Sequence, residues 1–173
     1  PATYDDARDG LRAVTGLAGV DLGRVVTCGH SAGGHLALWT AAEARRTTGS
    51  DRVVPVAAVA LAGVVDVVGG ADQQLGHGAV QRLMGGEPHA LVDRYRDASL
   101  LDALPLGLPQ VLVHGSADDV VPPAMAVAYA ARARASGDAV EVLLIDGADH
   151  MSMIDPRSPA WSATVEQLAR HLA

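Results

Sequence analysis

A serine stands between two glycines in the run Gly29-His30-Ser31-Ala32-Gly33. The apolar stretch Val25-Val26-Thr27-Cys28 precedes it, and the helical pattern Leu36-Ala37-Leu38-Trp39 follows. A G-x-S-x-G run between a strand and a helix is the sequence form of a nucleophile elbow. A serine hydroxyl is a weak nucleophile at neutral pH and needs a base within hydrogen-bond reach. A strained turn lifts the Oγ clear of the backbone so that a histidine can approach it. Both glycines are expected because the turn leaves no room for side chains beside the serine. The new helix points free N–H groups and the positive end of its dipole at developing negative charge. The backbone N–H of Ala32 is therefore the expected oxyanion donor.

Two further groups complete a constellation. Ser31, Asp118 and His150 each fall just past the end of a predicted strand, in the order Ser, Asp, His. In that arrangement His150 takes the serine proton and returns it to the leaving group, and Asp118 orients the imidazole. Asp119 and Asp66 are rival acids, the first by adjacency, the second because it closes the preceding strand. His30 sits beside the nucleophile with its side chain directed elsewhere. His114 ends a strand and is expected to bond the acid loop. His35 lies within the elbow helix, and His77, His89 and His171 fall in surface-like contexts. Met151 and Met153 flank His150 and suit either an apolar acyl pocket or plain core. His30 and Met151 are the candidate substrate contacts.

The motifs resemble those of an α/β-hydrolase fold enzyme of the esterase and lipase type. Gly29-His30-Ser31-Ala32-Gly33-Gly34-His35-Leu36-Ala37 is similar to the elbow of the kynurenine formamidase and carboxylesterase-like branch. His114-Gly115-Ser116-Ala117-Asp118-Asp119-Val120-Val121-Pro122 resembles its H-G-x-x-D-x-x-V-P acid loop, and Gly147-Ala148-Asp149-His150 its histidine loop. By the acid motif, the acid is Asp118. The resemblance runs over nearly the whole chain but only the C-terminal half to two-thirds of a usual family member. It implies a serine hydrolase cleaving small carboxylic esters or amides, with peptidase and formamidase chemistry open to the same triad. The second oxyanion donor usually comes from an earlier loop marked by an H-G-G run, which this sequence lacks. Gly69-Gly70 and Gly85-Gly86 lie on the wrong side of the elbow to replace it. A truncated or non-catalytic hydrolase-like domain is the competing expectation.

The elements that must carry these groups read as an alternation. A helix is expected over Tyr4 to Leu17, a strand over Arg24 to Cys28, and a helix over Gly33 to Arg46 ended by Thr47-Thr48-Gly49-Ser50. A strand lies within Val53 to Val65. Residues 67–108 form a cap-like excursion with helical stretches near Ala79 to Met84 and Ala90 to Tyr95. A strand over Gln110 to His114 follows, then a helix from Pro122-Pro123 to Ser136. The last elements are a strand over Val140 to Ile145 and a helix over Pro159 to Leu172. Continuous Val, Leu and Ala strands joined by helices predict an α/β architecture. The sheet is mainly parallel with helices on both faces, an α/β-hydrolase fold lacking the usual N-terminal strands. Residues 1–173 are read as one such domain. Function in such sheets collects at the carboxyl ends of the strands. A partial sheet leaves a strand edge open to pairing with another chain, so a homo-oligomer is expected.

Composition narrows the partners. The 173 residues carry a net charge of -7, with no lysine and no phenylalanine. The acidic balance and the absence of a basic stripe argue against nucleic acid. A single cysteine, Cys28, excludes an intrachain disulfide and a cysteine metal site; it is expected to be an inert core thiol. No apolar run is long enough for a membrane span, and no signal-peptide pattern opens the chain, so a cytoplasmic protein is expected. No phosphate-binding glycine loop, metal-ligand cluster or nucleotide fingerprint appears, and no cofactor is expected. The expected partner is a small-molecule ester or amide.

Overall fold

A computed structural model describes residues 1–48 and 52–173. Four strands form one sheet: β1 (Val26–His30), β2 (Ala57–Leu61), β3 (Gln110–Gly115) and β4 (Val140–Ile145). All are parallel, and their order in space, β1-β2-β3-β4, is their order in the chain. A parallel pair needs a crossover, and right-handed crossovers in one direction put every connecting element on the same face. The packing follows that rule. Helices α2 (Ala32–Arg46) and α6 (Pro123–Ala135) bury Leu38, Ala41, Ala126, Tyr129 and Ala130 against Ala58, Ala60 and Leu112 of the sheet. The alternate strand residues Val59, Leu61, Val111 and Val113 point the other way, under α7 (Pro159–Leu172). Small alanines on β2 and on both helices let the layers approach closely without aromatic filler.

Between β2 and β3 the chain forms α3 (Val67–Asp72), α4 (Leu75–Met84) and α5 (Val92–Ala98). With α1 (Ala2–Ala13) they bury a satellite cluster of Tyr4, Val67, Ala71, Val80, Met84, Tyr95 and Ala98. α4 is kinked near its start, because Gly76, His77 and Gly78 all have positive φ, and runs regularly from Ala79. Helix α3 was not expected from the sequence. Its glycine pair, Gly69-Gly70, masks a short helix capped by Asp66, whose Oδ1 accepts the N–H of Gly69 at 2.9 Å. That bond gives Asp66 a capping role. The first helix ends at Ala13 and passes into a 3-10 turn, Val14–Gly16. Thr47 and Thr48 follow α2 as expected; Gly49 and Ser50 lie outside the described residues.

Cys28 departs from the expectation of a core thiol: it is exposed. β1 is an edge strand, and Cys28 shares a face with Val26, the face that α7 covers. That helix lies mainly over β2 and β3, so the middle of β1 stays open on this side. Partial burial by its neighbours still pushes the thiol pKa above its ordinary value.

One buried carboxylate fixes where β3 starts. Asp138 accepts the N–H groups of Leu106 and Gly107 and the Nε2 of Gln110, at 2.8, 2.8 and 3.0 Å. Tyr129 donates its hydroxyl to Gln110 Oε1 at 2.7 Å. The loop before β3 is thereby tied to the segment before β4. The far ends of the two strands, where chemistry is expected, start from a common anchor.

Candidate active site

Ser31 occupies the turn between β1 and α2 at φ 57 and ψ -120. A non-glycine residue with positive φ is costly and persists only where its surroundings impose it. Here they do. Ser31 N donates to Leu61 O at 2.8 Å, and its carbonyl accepts from Gly34, His35 and Val64 N–H. The glycine requirement falls differently from the expectation. A Cβ on Gly29 would collide with the carbonyl of Gly33, and one on Gly34 would lie 2.9 Å from Gly63 Cα. A Cβ on Gly33 would meet nothing within 4 Å. The steric need thus rests on Gly29 and on Gly34, one residue beyond the G-x-S-x-G pattern. Ala32 opens α2, and among the described residues its N–H has no acceptor.

The acid and histidine loops are built against each other. A Cβ on Gly115, at the end of β3, would strike the carbonyl of Ala148, so only glycine lets the two loops touch. Ala117 N donates to Ala148 O at 3.0 Å, and Ser116 Oγ accepts from Gly147 N at 2.9 Å. On this platform His150 Nδ1 donates to Asp118 Oδ2 at 2.8 Å. Asp118 Oδ1 accepts the N–H groups of Val120 and Val121 at 2.9 and 2.8 Å. His114 Nε2 donates to Val121 O at 2.9 Å and lies 3.3 Å from Asp118 Oδ2. Asp118 and His150 are both buried. Burial alone would push the Asp118 carboxyl pKa up, but the bonds from His150, Val121 and Val120 outweigh it and hold it below the ordinary value. A permanent carboxylate at Nδ1 leaves the lone pair of His150 on Nε2. Asp119, the rival acid, is exposed.

Ser31 is not bonded to this pair: among the described residues its Oγ makes no hydrogen bond. The contact between the two halves comes from its neighbour. His30 Nε2 donates to His150 O at 2.9 Å, and the two rings lie 4.4 Å apart. Met151 is 59% exposed, and Met153 is buried in the core beneath α7. Neither His30 nor Met151 lines the cavity beside Ser31.

That cavity has a volume of about 230 Å³. Ser31 and Ala32 form one wall, Val64, Val67, Leu75, Ala79, Val80 and Leu83 the others, with Val120 and Val121 at the acid loop. Sequence reading missed these residues. The strand-end pattern marks Val120 and Val121 as neighbours of the acid, but nothing in residues 64–83 signals which side chains turn toward the serine. A larger depression of about 670 Å³ lies among Tyr4, Trp39 and Arg94 and touches none of Ser31, Asp118 and His150.

His35 closes the cavity floor and is buried. Its Nδ1 donates to Val64 O at 3.1 Å, and its Nε2 accepts from Tyr4 Oη at 2.9 Å. Burial lowers its pKa from 6.5 to about 4. The unfolded chain therefore binds this proton before the folded one does. Stability from this group is full above pH 6.5 and falls as pH drops toward 4. His35→Gln, which does not titrate, is expected to flatten the slope of urea-measured stability in that window by about one proton.

Among the described residues, no cluster of three His, Cys, Asp or Glu side chains is arranged to hold a metal ion. No helix there is long and apolar enough to cross a membrane.

Comparison with curated proteins found no match. Among solved structures, the chain is similar to a thermophilic esterase from the Planctomycetes species Thermogutta terrifontis in its propionate-bound form. Identity is 26% and the TM-score 0.72, over 98% of this chain and 63% of that one. It also resembles a puromycin hydrolase mutant complexed with PGG, at 22% identity and TM-score 0.76 over 97% of this chain and 24% of that one. A truncated carbohydrate esterase from gut microbiota matches at 17% identity and TM-score 0.77, over 99% of this chain and 69% of that one. The last two likenesses are of fold alone. The chain spans 62% of the length of the native Thermogutta terrifontis esterase. The model of the prolyl oligopeptidase family matches residues 2–172, and the chain belongs to that family, within the α/β-hydrolase superfamily.

Proposed function

We propose that the chain carries the catalytic centre of a serine hydrolase that cleaves small carboxylic esters or amides through an acyl-enzyme. Ser31 Oγ attacks the carbonyl carbon as His150 Nε2 takes its proton. The carbonyl oxygen becomes an oxyanion facing the free N–H of Ala32 at the start of α2. The intermediate collapses, the acyl–oxygen or acyl–nitrogen bond breaks, and His150 gives its proton to the leaving group. Water then repeats the sequence on the acyl-serine, releasing the acid and Ser31. One observation carries this reading: the 2.8 Å bond that fixes His150 Nδ1 on Asp118 and leaves the basic Nε2 free, in a chain whose serine holds a strained elbow turn.

A fluorophosphonate probe tests it. Labelling confined to Ser31, located by mass spectrometry, is expected. Folded protein that takes no label would overturn the reading in favour of a non-catalytic hydrolase-like domain. The unbonded Ser31 Oγ is the observation favouring that alternative, although catalytic hydrogen bonds often tighten only with substrate.

The apolar cavity suits the acyl side of a substrate. Its volume of about 230 Å³ admits a short chain, in keeping with the propionate of the Thermogutta terrifontis esterase. Ala79→Phe would fill it. The variant is expected to lower kcat/KM for a butyryl aryl ester by about 10-fold or more relative to an acetyl ester. An unchanged ratio would place the acyl group elsewhere.

A further inference from the structure

β1 and β4 are opposite edges of the sheet. With strands about 4.8 Å apart, the serine and the histidine spring from strand ends separated by about 14 Å. The histidine loop therefore has to reach back across the ends of β3 and β2. Most of what holds it belongs to β3 and its loop: Gly115, Ser116, Ala117 and Asp118 make the contacts. These fix the loop against the acid, not against the nucleophile. Among the described residues, a single hydrogen bond joins the elbow to the histidine loop, from His30 Nε2 to His150 O.

We propose that His30 is a positioning residue that clasps the histidine loop to the elbow and sets the distance between His150 Nε2 and Ser31 Oγ. This rests on the serine-hydrolase reading above. The chemistry of the bond is definite. A carbonyl can only accept, so the proton lies on His30 Nε2, leaving Nδ1 unprotonated in the neutral ring. His30 is half-buried, and burial and then the neighbouring His150 lower its pKa. The groups that face it are His150, Asp118 and His114. A neutral ring 4.4 Å from His150 holds the loop without opposing the imidazolium that forms there during turnover. A cationic side chain could hold the loop but would disfavour that imidazolium. His30 is also the residue next to Ser31 in the chain. Its clasp therefore transmits the position of the strained turn directly to the backbone of the base.

The test compares His30→Phe, which keeps a ring but loses the donor, with His30→Gln, which keeps an N–H donor on a side chain of similar reach. Two readouts apply: kcat and KM for a short-chain aryl ester, and the low-field proton resonance of His150 Nδ1–H. His30→Phe is expected to lose about 10-fold to 100-fold in kcat with KM changed by less than about twofold. Its low-field resonance should persist, because the bond to Asp118 is held by the acid loop, so the loss in kcat reports the distance to Ser31 and not a broken acid–base pair. His30→Gln is expected to recover kcat to within about threefold. If His30→Phe does not fold, His30→Ala serves in its place. Unchanged kcat in the donorless variant, or equal losses in both variants, would overturn the proposal. Absent turnover and absent labelling in the unmodified protein would mark failure of the hydrolase reading instead. The His30 ring would then decide the clasp: its Nε2–H is expected to exchange slowly with solvent, and exchange as fast as that of the exposed His77 ring would overturn it.

Discussion

Ser31→Ala is expected to lower hydrolysis of a short-chain aryl ester by about 10⁴-fold or more while leaving the fold intact. That ratio corresponds to about 5 kcal/mol of lost transition-state stabilisation. Alanine is sterically close to serine, so the positive φ of 57 carries much the same strain in the variant. The hydrogen bonds that impose the turn come from the backbone of residue 31, not from its hydroxyl, and they survive. Stability should therefore hardly move, and a thermal melt beside the activity assay separates a chemical loss from an unfolding. Adding His150→Ala to Ser31→Ala should cost little more, because groups that act as a unit lose their effect together. A Ser31→Ala variant that retains full activity would refute the nucleophile.

Asp118→Asn is expected to produce a loss of about 10⁴-fold, through orientation and not through charge alone. The side-chain carbonyl of asparagine can still accept the N–H groups of Val120 and Val121, so the loop keeps its shape. Its amide nitrogen then faces His150 Nδ1 and presents a hydrogen where an acceptor stood. The imidazole must turn its lone pair to Nδ1 and place its proton on Nε2, the atom that has to receive a proton from Ser31. His114 Nε2, 3.3 Å from the same carboxylate oxygen, loses an electrostatic partner but keeps its bond to Val121 O. Activity measured with circular dichroism and a melt would show an intact protein with a disabled base. Full activity in Asp118→Asn would move the acid to another residue.

Much of this was readable from residue order. The elbow announced itself because a serine between a strand-like run and a helix-like run has few other uses, and the parallel sheet followed from continuous apolar strands. Strand boundaries shifted by a residue or two. β1 runs to His30, not Cys28, because backbone pairing with β2 continues through Gly29 and His30, where side-chain pattern gives no sign of it. Cys28 reads as core from its apolar neighbours; whether a strand face is covered depends on where α7 lands, a long-range fact. The cavity walls were illegible for a related reason. The left-handed run Gly76-His77-Gly78 redirects α4, and no periodicity rule anticipates where Val80 and Leu83 then point. The role of Gly34 against Gly63 was hidden as well, since it comes from contact between two turns far apart in the chain.

The agreement between strand order and chain order has a temporal consequence. Each strand docks on the edge left by the one made before it, so the sheet can extend outward as the polypeptide is synthesised. Ser31 is built first, Asp118 later, and His150 only with the segment after β4. The next helix to emerge, α7, is also the one that covers Val59, Leu61, Val111 and Val113. Until it docks, the nascent chain shows a greasy sheet face. Arrival of His150 and concealment of that sticky surface thus fall close together in translation, both after β4 has been made.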